Sequence, residues 1–180
     1  MNYYIGDLHF NHKNIINLDS RPFNDIEEME DVLIKNWNSV VKSNDHVYIL
    51  GDFCWGKVDK WVELLDKLNG LKYLIIGNHD DFKTVNKIRD KFVDVYNYLE
   101  IKDQGYKLVL CHYPIASWNG MYKGTIHLYA HVHNTSDNDL YKAHLKSLED
   151  TIDPPLQAYN VGCMIDYMNY TPRTLEEIID

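Results

Sequence analysis

The side chains best suited to chemistry are aspartate, asparagine and histidine residues that follow short apolar runs. In the first half of the chain they form three motifs: Asp7-Leu8-His9, Gly51-Asp52 and Gly77-Asn78-His79-Asp80. Later in the chain come a single residue, His112, and a spaced pair, His131-Val132-His133. Oxygen and imidazole ligands together suit Mn²⁺, Fe, Zn²⁺ or Ni²⁺ better than Ca²⁺. These residue types therefore predict a site for transition-metal ions.

The apolar runs before these motifs have the length and composition of β-strands. They are Tyr3 to Ile5, His46 to Leu50, Tyr73 to Ile76, Tyr106 to Cys111 and Ile126 to Tyr129. In an α/β sheet the strand ends converge on one edge, where ligand sites form. We also expect both members of each spaced pair to face one metal cluster, because residues i and i+2 of an extended segment point to the same side.

Helical patterns separate the first strands. Apolar residues recur at helical spacing over Ile26 to Val40, Val58 to Leu68 and Phe82 to Phe92, and a short helix begins near Thr174. Asn24 with Glu27 resembles a capping box before the first helix. The second half is richer in predicted strands, including Val93 to Leu99 and Ala158 to Val161. This pattern predicts an α/β fold with two sheets and helices outside, as one domain over residues 1–180.

In this order, the motifs D-x-H, G-D, G-N-H-[DE], H and H-x-H resemble the calcineurin-like metallophosphoesterase family. Each motif alone is weak evidence, but their order and context make chance a poor explanation. The resemblance runs from Asp7 to His133. The match looks close to the small phage- and bacteria-type members that have little beyond the core. It implies a two-sheet β-sandwich flanked by helices, in four layers.

The resemblance also implies a centre of two divalent metal ions, with manganese favoured over iron, zinc or nickel. The first ion would be held by Asp7, His9 and His133. The second would be held by Asn78, His112 and His131, and Asp52 would bridge the two. Two metals about 3.5–4 Å apart can clamp a phosphoryl group and activate a water molecule between them.

Asp52 and His79 are the predicted catalytic residues. In the family, the residue equivalent to His79 faces the substrate, where it binds phosphate or protonates the leaving group. Asn78, Arg21 and His12 are predicted substrate contacts. Arg21 lies in a loop-like segment and could hold phosphate, although an ordinary surface position is the alternative for both Arg21 and His12.

The chain departs from the family pattern after the bridging aspartate. Many members continue as G-D-x-x-D-R, in which the second Asp often orients the catalytic His and the Arg often holds phosphate. Here the segment is Phe53-Cys54-Trp55-Gly56. Proximity in sequence makes Asp80 and Asp45 candidates for orienting His79. Trp55 is expected to pack in the core, with stacking on an aromatic leaving group as the alternative.

A second departure concerns the glycine that usually precedes the last H-x-H motif. Ala130 occupies that position. An alanine is strained there if the position requires a positive φ, and the change is neutral if it does not.

Composition limits the expected partners. The formal net charge is −9, and an acidic chain repels nucleic-acid backbones and anionic membranes, so we expect no strong general nucleic-acid binding. No segment approaches the ~20 apolar residues of a membrane span. Three cysteines without C-x-x-C spacing argue against a disulfide framework and indicate a reducing, cytoplasmic location. The expected partner is a small phosphate ester or nucleotide.

The sequence therefore predicts a binuclear-metal phosphoesterase. A phosphodiester or nucleotide-type substrate is favoured, because the chain has no room for a large cap domain and an open cleft would accept diesters. Phosphomonoester hydrolysis is an alternative. The alternative from a different functional class is a non-catalytic interaction scaffold on the same fold. The altered segment after Asp52 favours this alternative, whereas the intact ligand set and His79 argue against it.

Overall fold

A computed structural model of the protein describes residues 1–149 and 155–180. Within these residues the strands form two four-stranded sheets. The first sheet contains β1 (Asn2–Ile5), β2 (His46–Ile49), β3 (Leu71–Ile75) and β4 (Asp94–Tyr96). The second contains β5 (Tyr98–Asp103), β6 (Tyr106–Cys111), β7 (Ile126–Tyr129) and β8 (Ala158–Asn160).

All strands of the first sheet are parallel, in the order β1-β2-β3-β4. Parallel neighbours need crossover connections. These contain α1 (Ile15–Leu18) and α2 (Ile26–Val40), then α3 (Val58–Lys67), then α4 (Phe82–Lys87). Because every strand runs the same way, the loops that follow β1, β2 and β3 emerge at one edge of the sheet. This edge carries the first three motifs.

The second sheet is mixed. Strands β5 and β6 form an antiparallel hairpin, whereas β6, β7 and β8 are parallel. Helix α5 (Ser136–Glu149) follows the last H-x-H motif and places Leu145 in a buried cluster with Val109 and Trp118. The last helix is α6 (Leu175–Ile179), whose N-cap Thr174 forms a capping box with Glu177. The predicted fold class, an α/β sandwich of two sheets flanked by helices, is confirmed.

The two sheets join beside the motif-bearing edge. The backbone N–H of Gly6 donates to Val161 at 2.7 Å, and Cys163 donates to Gly6 at 2.9 Å. A Cβ atom on Gly6 would lie only 2.7 Å from the Cβ of Ala130, so glycine is required for this close approach. Ala130 is not among the described residues with positive φ, and its replacement of the usual glycine therefore creates no backbone strain.

Two expectations for local structure are wrong, and one helix was not expected. Helix α5 is absent from the sequence prediction, because its segment contains few apolar residues. The single strand expected over Val93 to Leu99 is divided, so that β4 ends the first sheet and β5 begins the second. The third helix is shorter than expected, because α4 ends at Lys87 and a 3₁₀ turn follows.

The capping box expected at the start of α2 from Asn24 and Glu27 is wrong, because the helix is capped by the next residue. Asp25 is the N-cap, and its carboxylate accepts a hydrogen bond from the backbone N–H of Glu28 at 2.8 Å. The side chain of Glu28 accepts from the N–H of Asn24 at 2.7 Å. None of the helices in the described ranges is both long and apolar enough to cross a membrane.

Candidate metal centre

The first candidate ligand group combines the D-x-H motif with the end of the H-x-H motif. Ligand atoms of Asp7, His9 and His133 all lie within 4.8 Å of one another. The Nε2 atoms of His9 and His133 are 3.3 Å apart, and His133 Nε2 lies 3.9 Å from Asp7 Oδ1. Two imidazoles and a carboxylate thus converge on one point, as ligands of a divalent cation do.

The second candidate group surrounds Asp52. Its Oδ2 atom lies 3.7 Å from His112 Nε2 and 3.6 Å from His9 Nε2. One carboxylate oxygen therefore stands between an imidazole of each group, which is the position required of a bridging ligand. Asn78 Oδ1 lies 3.0 Å from His112 Nε2, and the His131 ring centroid is 5.1 Å from that of His112. The structure thus brings all the predicted ligands together.

The electrostatics of the site fit a cation. Asp7 and Asp52 are both buried, and burial raises the pKa of Asp7 to about 6 because it disfavours the charged form. Among the described residues, neither carboxylate forms an ion pair with a lysine or arginine, and the ionisable groups that approach them are imidazoles. Each also accepts a backbone N–H, Asp7 from His131 and Asp52 from His79. Divalent cations would offset this buried negative charge. The mixture of oxygen and imidazole donors suits Mn²⁺, Fe, Zn²⁺ or Ni²⁺.

The backbone of the ligand loops is left-handed. Positive φ angles occur at Asp7 (51°), His9 (50°), Asp52 (52°), His131 (70°) and His133 (47°). The expected extended conformation of the D-x-H and H-x-H motifs is therefore wrong, although both members of each pair reach the centre. Left-handed non-glycine residues cost of order 1–3 kcal/mol each, and persist only where surrounding contacts enforce them. Such a contact is the hydrogen bond from the His9 N–H to the Asp52 carbonyl at 2.9 Å.

Two motif glycines make room for ligands. A Cβ atom on Gly77 would lie 2.3 Å from Asp52 Oδ1. A Cβ atom on Gly51, whose φ is +80°, would lie 2.4 Å from His112 Nδ1. Both glycines therefore allow the backbone to pass directly beside a candidate ligand side chain, which explains why glycine precedes Asp52 and Asn78.

Neither candidate carboxylate orients His79. Asp80 is buried and accepts hydrogen bonds from the backbone N–H groups of Gly77 (2.8 Å), Asp52 (2.9 Å) and Phe53 (2.9 Å). It therefore ties the second and third motif loops together. Asp45 accepts a hydrogen bond from the N-terminal amino group at 2.8 Å. Because Asp45 precedes the first residue of β2, it lies at the edge of the sheet opposite to His79.

The prediction that Arg21 contacts phosphate is corrected by its surroundings. Its guanidinium is buried and donates to the backbone carbonyls of Asp7 (2.8 Å) and Leu8 (3.0 Å) and to Asp19 Oδ2 (2.9 Å). Arg21 thus supports the first motif loop from behind. Asp19, which no sequence motif singles out, also lies 3.1 Å from His133 Nδ1 through its other oxygen. A carboxylate at Nδ1 leaves Nε2 free to bind metal.

Substitution of Asp19 by asparagine is expected to weaken metal binding by about 10–100-fold, the usual effect of losing a partner of a metal-ligating histidine. The amide oxygen of the asparagine would accept the hydrogen bond from Arg21. Its NH₂ group would then face His133 Nδ1, which would lose its hydrogen-bond acceptor. Calorimetric titration of metal-stripped protein with Mn²⁺ measures the effect. Asp166→Asn, an exposed carboxylate, is the control. Equal affinities for Asp19→Asn and the wild type would contradict this role.

His12 and His79 lie on the exposed side of the centre, where they flank Trp55. The His79 N–H donates to Asp52 Oδ1 at 2.8 Å, and its exposed ring lies 4.9 Å from the Trp55 ring. The half-buried His12 ring stacks on Trp55 at 4.4 Å, with an interplanar angle of 16°. Trp55 is 44% exposed, so the expectation that it packs in the core is wrong.

Comparison with known proteins agrees with this geometry. The profile of the calcineurin-like phosphoesterase family matches residues 3–162, and the chain belongs to that family. An uncharacterized protein of Methanocaldococcus jannaschii is 38% identical over 179 residues, which cover 98% of this chain and 88% of that protein. The gene 66 protein of Mycobacterium phage L5 is 35% identical over 97 residues, covering 52% of this chain and 46% of the phage protein.

A solved structure is also similar. The crystal structure of a protein of unknown function from Aquifex aeolicus superposes with a TM-score of 0.74 and 28% identity. The match covers 98% of this chain and 96% of that chain. The family and the Asp/His cluster are together compatible with metal-dependent phosphoester hydrolysis.

Proposed function

We propose that the protein is a phosphodiesterase that uses two divalent metal ions, with manganese the favoured metal. The observation that carries the proposal is the position of Asp52 Oδ2, 3.6 Å from His9 Nε2 and 3.7 Å from His112 Nε2. A carboxylate oxygen between two imidazole groups is the arrangement that a binuclear centre needs, and a single-metal site would not require it.

The bound ions would supply an activated water near neutral pH and offset the charge of the phosphoryl oxygens. The chain contributes the geometry and a proton. Asp7, Asp52, Asn78 and the four ligand histidines would hold the ions at the base of the site. His79 is exposed beside them, and its backbone N–H is held by Asp52 Oδ1 at 2.8 Å. From there its ring donates a proton to the departing oxygen of the ester.

The surroundings of Arg21 support a diester substrate. A phosphomonoester carries one more negative charge than a diester, and the guanidinium that could have offset it is buried behind Asp7. In the described part of the chain, no lysine or arginine side chain forms a hydrogen bond or ion pair with Asn78, His79 or Trp55. The exposed side chains of Asn78 and His79 also support an open site. The three free cysteines support a reducing, cytoplasmic location.

Metal-stripped protein is expected to hydrolyse an aryl phosphodiester when Mn²⁺ is added and to lose that activity in a chelator. The corresponding aryl phosphomonoester should be the poorer substrate, because its extra charge lacks a cationic partner. Initial rates on both substrates with Mn²⁺, Ni²⁺, Zn²⁺, Co²⁺ and Fe²⁺ provide the measurement. Absence of turnover with every metal across about pH 6–9, the range where metal-bound water ionises, would support the non-catalytic scaffold instead.

A further inference from the structure

A small cavity opens beside His79 on the exposed side of the centre. Its volume is about 230 Å³. It is lined by Cys54, Trp55, Gly56, Trp61, His79 and Asp81. The segment that departs from the family pattern therefore supplies three of the six lining residues, and the proposed proton donor supplies another.

The lining is mainly apolar and uncharged. Trp61 and Cys54 are buried, and burial raises the pKa of the Cys54 thiol, which keeps it protonated. The one carboxylate, that of Asp81, caps helix α4 and accepts from the N–H and the hydroxyl of Thr84, each at 2.9 Å. No lysine or arginine lines the cavity, and a neutral apolar group placed in it would bury surface favourably.

Trp55 is held in place before any ligand arrives. Its backbone N–H donates to the carbonyl of Phe10 at 2.7 Å, and its own carbonyl accepts from the side chain of Asn11. Its ring stacks on His12 at 4.4 Å and is still 44% exposed. An aromatic surface fixed in this way can receive another ring in an offset or edge-to-face arrangement.

We propose that this cavity is a subsite for a single aromatic ring on the leaving group of the ester. The inference rests on the proposed function. A leaving oxygen that takes a proton from His79 must lie next to the His79 imidazole, and the group attached to that oxygen then reaches the cavity. Apolar cavities of about 150 Å³ admit benzene, so about 230 Å³ accepts one ring and little more. The substrate class is therefore a phosphodiester with an aryl group or a single-ring base on its leaving side.

Two methyl phosphodiesters separate ring binding from leaving-group acidity. One carries a phenol and the other a fluorinated alcohol of matched acidity, so His79 has the same task in both. The wild type is expected to favour the aryl ester. Trp55→Ala should lower kcat/KM for the aryl ester by about 3–10-fold, the value of one aromatic contact, with a smaller change for the fluoroalkyl ester. Trp55→Phe should retain most of the preference, and Tyr122→Ala, an exposed aromatic in another loop, should retain all of it.

Equilibrium binding tests the subsite without turnover. Calorimetry with the Mn²⁺-loaded protein should show tighter binding of phenylphosphonate than of methylphosphonate, and Trp55→Ala should remove most of the difference. Equal binding of the two phosphonates by the wild type would overturn the inference. Equal losses of kcat/KM on both esters in Trp55→Ala, with metal content unchanged, would also overturn the inference. That result would mean that Trp55 supports His79 and does not bind the leaving group. A wild type that hydrolyses neither ester but prefers phenylphosphonate would refute the proposed function and not the subsite.

Discussion

Replacement of Asp52 by alanine is expected to empty both metal positions and to lower phosphodiesterase activity by at least about 10³-fold, because nucleophile activation and charge neutralisation fail together. The Oδ2 atom of Asp52 lies between His9 Nε2 and His112 Nε2, at 3.6 and 3.7 Å. Asp7 Oδ1 also lies near both groups, 3.9 Å from His133 Nε2 and 4.0 Å from His112 Nδ1, but that His112 nitrogen is 2.8 Å from the Leu50 carbonyl oxygen and is engaged there. Elemental analysis of metals per chain, together with initial rates, measures the effect.

The Asp52 substitution also removes a structural contact, since Oδ1 accepts from the His79 N–H at 2.8 Å. Asp52→Asn is therefore the matched variant, because the amide keeps the side-chain shape and an oxygen acceptor while losing the charge. Asp31→Asn, an exposed carboxylate on α2, controls for the change in net charge. Full occupancy of one metal position in both Asp52 variants would show that this carboxylate serves only one ion, and would contradict the bridging role.

His79→Ala is expected to retain both metals and to lose about 10²–10⁴-fold in kcat on esters with poor leaving groups, the usual contribution of a general acid. His79 lies beside the ligands, and its described hydrogen bond to the centre comes from the backbone N–H rather than from the ring. An alkyl or ribose leaving group needs the proton, so its hydrolysis should suffer most. Nitrophenolate leaves without protonation, and its hydrolysis should suffer less.

Metal content must be measured beside the rates for His79→Ala. Loss of a metal would identify His79 as a ligand and contradict the assignment of roles. Retained metals with full activity on both ester types would transfer the proton donation to solvent or to another residue. His144→Ala, an exposed histidine on α5, is the control and should change neither quantity. In the described residues no carboxylate contacts the His79 ring to orient it as an acid. We therefore expect the loss of kcat on esters with poor leaving groups to lie toward the lower end of the 10²–10⁴-fold range, at about 10²-fold.

The local pattern of the sequence was sufficient to predict the strands that deliver the motifs. Apolar runs of strand length precede Asp7, Asp52 and Asn78, and parallel pairing sends the residues that follow to one edge. Local pattern was insufficient where an element depends on its environment. Helix α5 packs through only a few apolar residues, and the chain between Val93 and Leu99 changes sheets, a transition that hydrophobic periodicity cannot register.

By itself, the sequence determined which chemistry the protein can carry, because ligand types, their order and the apolar runs before them are local properties. Tertiary structure alone decided what the neighbouring residues do. Arg21 and Asp19 lie behind the ligands because their partners, the carbonyl of Asp7 and the imidazole of His133, come from distant parts of the chain. Trp55 remains exposed although the rings of His12 and His79 lie against it, because exposure results from the packing of many segments rather than from residue type.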